Sequence, residues 1–141
     1  MGQQQLLLII LGVIIVGIAI AVGLQLFQSG SIGANQDAMV NDMMNIAAHA
    51  EQFRIRPESM GGGGGSLENY VLPERLATTG NGTYTVSSTG VGADATIEIT
   101  GNSVPYAGDA GVELTYDPSQ DTDALRYDWT FTGLFDDAAG A

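Results

Sequence analysis

The chain has 141 residues, and its 16 acidic side chains face four arginines, no lysine and one histidine, giving a net charge of −12. So few cations exclude nucleic-acid binding, which depends on cationic side chains displacing counterions from phosphates, and adhesion to anionic lipid surfaces. No cysteine and a single histidine, His49, exclude disulfides, thiol chemistry and histidine-cluster metal sites. No Ser-His-Asp order or paired-carboxylate motif stands out, so neither an enzyme nor a cofactor is expected.

Charge divides the chain in two. The first acidic side chain is Asp37 and the first basic one is Arg54, so residues 1–36 are uncharged. Residues 6–24 are drawn only from Leu, Ile, Val, Ala and Gly, with 14 of the 19 being Leu, Ile or Val. As a helix this run spans roughly 28 Å, near the thickness of a bilayer hydrocarbon core. Summed on an insertion scale it is worth roughly −4 to −8 kcal/mol, with no charge opposing it. A secretory signal is a weaker reading despite Ala19-Ile20-Ala21, because the apolar run is long and no Lys or Arg precedes it. Gly17 with Ala21, and Ala19 with Gly23, form small-xxx-small pairs that let helix backbones approach closely. Leu6, Leu11, Val13, Gly17, Ala21, Gly23 and Leu24 are therefore candidate self-assembly residues.

Past Phe27 the apolar pattern narrows. Met39, Met43, Ile46, Ala50 and Phe53 form a helical stripe, with Asp37, Asn41, Asn45, His49 and Gln52 largely opposite. The spacing predicts an amphipathic helix over residues 35–54, with His49 as a solvated helix residue. Arg54 and Arg56 suit its C-terminal dipole, and Pro57 disfavours helix at Arg56. Between the two helical stretches, Gly30 and Gly33 each weaken a helix by about 1 kcal/mol. One bent helix, a local break and two joined helices all fit.

Gly61 to Gly65 lack the following Lys-Ser/Thr of a phosphate loop. They are expected to form a flexible or closely packed loop joining helix to head. Residues 66–76 read as a short irregular or helical link. Four runs then alternate as strands: Tyr84 and Val86; Ala95, Ile97 and Ile99; Val112, Leu114 and Tyr116; Leu125, Tyr127, Trp129 and Phe131. Turn signals fall at Gly80-Asn81-Gly82, Gly101-Asn102 and Asp117-Pro118. The fold class is α+β: a long N-terminal helix packed on about four antiparallel strands. The expected segments are 1–34 (apolar helix with a Gly-rich break), 35–56 (amphipathic helix), 57–79 (loop and linker) and 80–141 (β head).

Two minor sites emerge. Asp117, Asp121 and Asp123 are a weak calcium candidate without EF-hand spacing, a solvated acidic loop being the stronger reading. Asn81-Gly82-Thr83 fits a glycosylation sequon, although Asn-Gly equally signals a hairpin turn.

Gly2-Gln3-Gln4-Gln5 followed by Leu6-Leu7-Leu8-Ile9-Ile10 resembles the entry into a prepilin apolar helix, and Phe53-Arg54-Ile55-Arg56-Pro57-Glu58-Ser59-Met60 plus glycines resembles short pilin-like proteins. The whole plan is similar to that of type IV pilins. The resemblance implies a structural subunit of an extracellular pilus-like filament, held in the inner or plasma membrane before assembly and handled by pilus assembly machinery. It implies a helical homo-oligomer built through the apolar helix, with Gly2 and Gln5 as candidate processing and registration residues. Many pilins place a glutamate a few residues into the apolar helix, for which Gln5 is the nearest candidate here, and no basic leader precedes Gly2. The rival readings are a single-pass membrane-anchored surface binding domain and a minor pseudopilin of a secretion system.

Overall fold

The computed structural model describes residues 1–107, 109–122 and 126–139. Helix α1, Gly2–Ile55, runs unbroken for 54 residues, about 80 Å at the standard rise. The helix is continuous through Gly30 and Gly33, which corrects the Gly-rich break expected in the segment 1–34. Residues 31–55 are packed on the head, which fixes a helical nucleus. Extending the helix towards the N-terminus then costs only propagation, and two glycines do not stop it.

Four strands follow: β1 (Gly82–Thr89), β2 (Thr96–Ser103), β3 (Ala110–Tyr116) and β4 (Tyr127–Gly133). They form one antiparallel sheet in the order β1-β2-β3-β4. Pairing places Val86 opposite Ile99, Ile99 opposite Leu114, and Leu114 opposite Trp129, so the apolar positions of all four strands share one face. Thr83, Thr85, Glu98, Asp128, Thr130 and Thr132 are exposed on the other. Met39, Met43, Ile46, Ala47 and Ala50 of α1 cover the dry face, packed against Tyr84, Ile97, Ile99, Val112, Leu114 and Tyr116, all at most 2% exposed.

Two details depart from the sequence reading, the place of the β2–β3 turn and a C-terminal helix in the head. Gly101 and Asn102 lie inside β2, opposite Val112 and Gly111, and the β2–β3 turn comes at 104–107. Gly101 is chosen there for space: a Cβ would come within 3.0–3.1 Å of Tyr84 and Met39. Short helices α2 (Glu74–Ala77) and α3 (Leu134–Ala139) complete the head, and Phe135 of α3 is fully buried in the same core. Leu125, assigned to the last strand by its alternation, lies outside the described residues.

The glycine run is a tight wrap on the end of α1. Gly63 N–H donates to the Phe53 carbonyl at 2.8 Å, Gly65 to Arg54 at 2.7 Å and Gly64 to Arg56 at 3.0 Å. Carbonyls that a helix C-terminus leaves unpaired are thereby satisfied. A Cβ on Gly63 would sit 1.9 Å from the Ser66 carbonyl oxygen, while Gly61 is left-handed at φ 77° with open space around it. Gly63→Ala is therefore expected to destabilise the head by about 2 kcal/mol or more, whereas Gly61→Asn costs under about 1 kcal/mol. Urea unfolding of the two variants checks the contrast.

Candidate assembly surface

Residues 6–24 of α1 touch nothing else in the chain. The most apolar 18-residue window of the helix has a mean hydropathy of 3.2, and none of it is buried. Leu6, Leu11, Val13 and Leu24 are 60%, 53%, 67% and 62% exposed. A Cβ added at Gly12, Gly17 or Gly23 would meet no atom within 4 Å. Gly17 and Ala21, and likewise Ala19 and Gly23, lie one turn apart on the same side of a helix that is aliphatic all round. Monomeric soluble proteins rarely leave apolar patches above a few hundred Å². This rod far exceeds that, and the helix is long and apolar enough to cross a membrane. Gly2 opens the helix, and Gln5 is exposed immediately before the apolar run.

What fixes the rod to the head is a polar seam along one edge of the buried stripe. Ser31, Asn35, Asp42 and His49 are spaced four, seven and seven apart, hence nearly in line on the helix. Ser31 Oγ and Tyr106 OH are hydrogen-bonded at 2.8 Å, at the point where α1 leaves the head. The buried Asn35 accepts from Ser103 Oγ at 2.7 Å and donates to the Asn81 carbonyl at 3.2 Å. One Asp42 oxygen accepts from Thr79 Oγ1 at 2.8 Å, Tyr84 OH at 2.9 Å and Asn81 Nδ2 at 3.0 Å. Burial, followed by the hydrogen bond to Asp42, drives the Tyr84 phenol well above its ordinary value of 10.

On the opposite edge Glu51 takes two bonds from Arg54 and one from Tyr116 OH at 2.6 Å. Those bonds, the Arg54 pair first, hold its carboxyl below the ordinary 4.5. His49 is half-buried, with Nδ1 2.9 Å from Tyr70 OH, which corrects its placement as a solvated residue. Burial, then the field of Arg75 and Arg56, lowers its pKa from 6.5.

Of the minor candidates, the acidic loop lies apart from these features and Asn81 lies within the seam. Asp117 is turned into its own loop, accepting from Ser119 N–H at 2.9 Å, Ser119 Oγ at 2.6 Å and Gln120 Nε2 at 2.9 Å. Asp121 is exposed nearby, and Asp123 lies outside the described residues. Asn81 sits in the tight turn into β1, closed by the bridge of Thr78 with Thr83. Its Nδ2, the atom a glycan would take, is the one held by Asp42.

The seam was not recognised in the sequence, which offers one signal for it: the seven-residue repeat of Asn35, Asp42 and His49 beside an apolar stripe. Glu51–Arg54 was equally legible as an i, i+3 pair. The chain matches no protein-family model, no curated protein and no solved structure.

Both shifts translate into acid sensitivity. The unfolded chain takes up a proton on each group before the folded one does, so stability falls with pH in both windows. His49's contribution is complete above pH 6.5 and is lost as pH falls through its lowered folded value. Glu51's is complete above 4.5 and is lost below that. Urea melts between pH 8 and 3 are expected to show two successive declines. His49→Gln should flatten the upper decline and Glu51→Gln the lower.

Proposed function

We propose that this chain is a pilin-like structural subunit that polymerises through its N-terminal helix into an extracellular filament of the type IV class. One observation carries the reading: an unbroken aliphatic rod, exposed on every side, projects from a folded acidic head. Before assembly the rod lies in the inner or plasma membrane. On assembly by pilus machinery it exchanges lipid for identical helices around a shared axis, and the heads form the outer surface. Lipid and protein are about equally apolar, so the exchange needs close packing, which Gly17, Ala21 and Gly23 supply. The self-repulsion of heads carrying most of a net −12 charge opposes it. The assembled state therefore gains as salt screens that charge.

A second reading, a single-pass anchor holding a surface binding domain, is favoured by the match between the apolar run and a bilayer's thickness. Negative-stain microscopy separates the two. Micrometre filaments from purified chain support the major subunit, short tips a minor pseudopilin, and monodisperse particles the anchor. Within a filament-forming preparation, Gly17→Leu is expected to abolish filaments. Head stability should stay within about 0.5 kcal/mol, as for any substitution remote from the packed region. Normal filaments from that variant would sink close packing at Gly17.

A further inference from the structure

The two edges of the sheet differ. The preceding segment covers part of the β1 edge: Thr78 bridges Thr83, and Ser88 Oγ donates to the Glu68 carbonyl at 2.8 Å. β4 is the outermost strand on the other side, and among the described residues no backbone group bonds to its outer edge. The ladder shows which groups point outward. The Asp117 N–H donates to the Arg126 carbonyl at 2.9 Å, and the Leu134 N–H to the Asp109 carbonyl at 2.8 Å. Even-numbered residues along this unbroken register therefore bond to β3. In an antiparallel ladder the alternate residues point away, so the N–H and C=O groups of Tyr127, Trp129, Phe131 and Gly133 face outward. The aromatic side chains of the strand are also left uncovered in part. Tyr127, Trp129 and Phe131 are only half-buried, whereas Tyr116, Leu114 and Val112, opposite them on β3, are at most 2% exposed. The Trp129 and Phe131 rings are inclined by only 7°, with centroids 6.4 Å apart. Sheet edges are ordinarily guarded by lysine, proline, a bulge or an inward charge. β4 has none of these, and its one charge, Asp128, is exposed on the wet face.

We infer that β4 pairs edge to edge, antiparallel and centred on Thr130, with β4 of a second copy, so that two sheets become one. The inference does not depend on the filament reading. A second copy is selected over an unrelated extended peptide because the strand is complementary to itself. Centring on Thr130 matches all the outward backbone groups, Tyr127 with Gly133 and Trp129 with Phe131. On the dry face Trp129 of each copy lies beside Phe131 of the other, a favourable cross-strand pair. On the wet face Asp128 lies beside Thr132, so no like charges are opposed. Centring on Asp128 would oppose two carboxylates, and centring on Trp129 or Phe131 would leave part of the outward edge unmatched. The flanking charges agree: Arg126, just before the strand, is brought towards Asp136 of the second copy, just after it. Glu113 on β3 and Asp109 before it lie a strand further from the contact. The two-fold axis of such a pair is perpendicular to the sheet, and α1 lies along the sheet, so the two rods point in opposite directions. The pair therefore joins heads belonging to two opposed structures, never neighbours that point the same way.

The chain has no cysteine, so single-cysteine variants of the full-length protein in dodecyl maltoside, oxidised with glutathione disulfide, report the register. Thr130→Cys is expected to give a disulfide-linked dimer, because directly opposed Cβ atoms of a non-hydrogen-bonded pair lie about 5 Å apart. Thr132→Cys, which the same register sets about 13 Å from its own counterpart, and Thr85→Cys on β1 are the controls. A dimer yield from Thr130→Cys no higher than from either control overturns the inference. A second arm adds a charge to the Thr130→Cys protein at Thr132, which is exposed and faces Asp128 of the second copy. Thr132→Asp is expected to lower the dimer yield about threefold or more, and Thr132→Arg to raise it. Equal yields from these two proteins also overturn the inference. Absence of filaments would sink the filament reading alone and leave this contact standing.

Discussion

An α-helix satisfies its own backbone and is stiff over many turns, so a side-chain pattern written along it is carried rigidly through space. Here one such rod holds two incompatible patterns: an all-round aliphatic first half and a second half with a single buried stripe. The head is too small to wrap the first half, and the helix does not fold back upon it. The apolar half is thus committed to an environment outside its own chain. Every functional reading of this protein is a choice among the media able to supply that environment.

Because the rod is continuous, the head's grip on its second half fixes the orientation of the first. That grip combines two unlike interactions. The methionine and isoleucine stripe contributes burial, which is strong but indifferent to small slides along the helix. The seam of Ser31, Asn35, Asp42 and His49 contributes hydrogen bonds of definite geometry, and these are lost if the helix slips by one residue. Burying polar groups is costly unless all of them are paired. No unsatisfied buried side-chain atom occurs among the described residues, so the arrangement secures register without that cost.

Much of the fold was legible because its strongest signals are periodic. The stripe at Met39, Met43, Ile46 and Ala50, and the alternation at Ile97–Ile99 and Val112–Leu114, each match one regular geometry and are buried accordingly. The misreadings arose where local preference and tertiary context disagree. Gly101-Asn102 has turn chemistry, yet the strand continues because Tyr84 and Met39 occupy the space a side chain would need. Gly30 and Gly33 weaken helix locally, yet the packed turn beside them nucleates it. His49 reads as solvent-facing on a helical wheel, but Tyr70, brought over by the segment after the glycines, covers it. Of the candidate surface, the aliphatic run and its small-residue pairs were plain from composition.

The glycine wrap at the end of α1 has a mechanical consequence. Where many proteins leave slack between a long helix and the domain it carries, this chain turns back at once. Three successive amides are bonded to the last helical turn, and Leu67 is buried in the core a few residues later. Tension applied to the head therefore passes directly into the helix axis, with no coil to uncoil and no joint to swivel. Whatever holds the far end of the rod feels the pull as it is exerted.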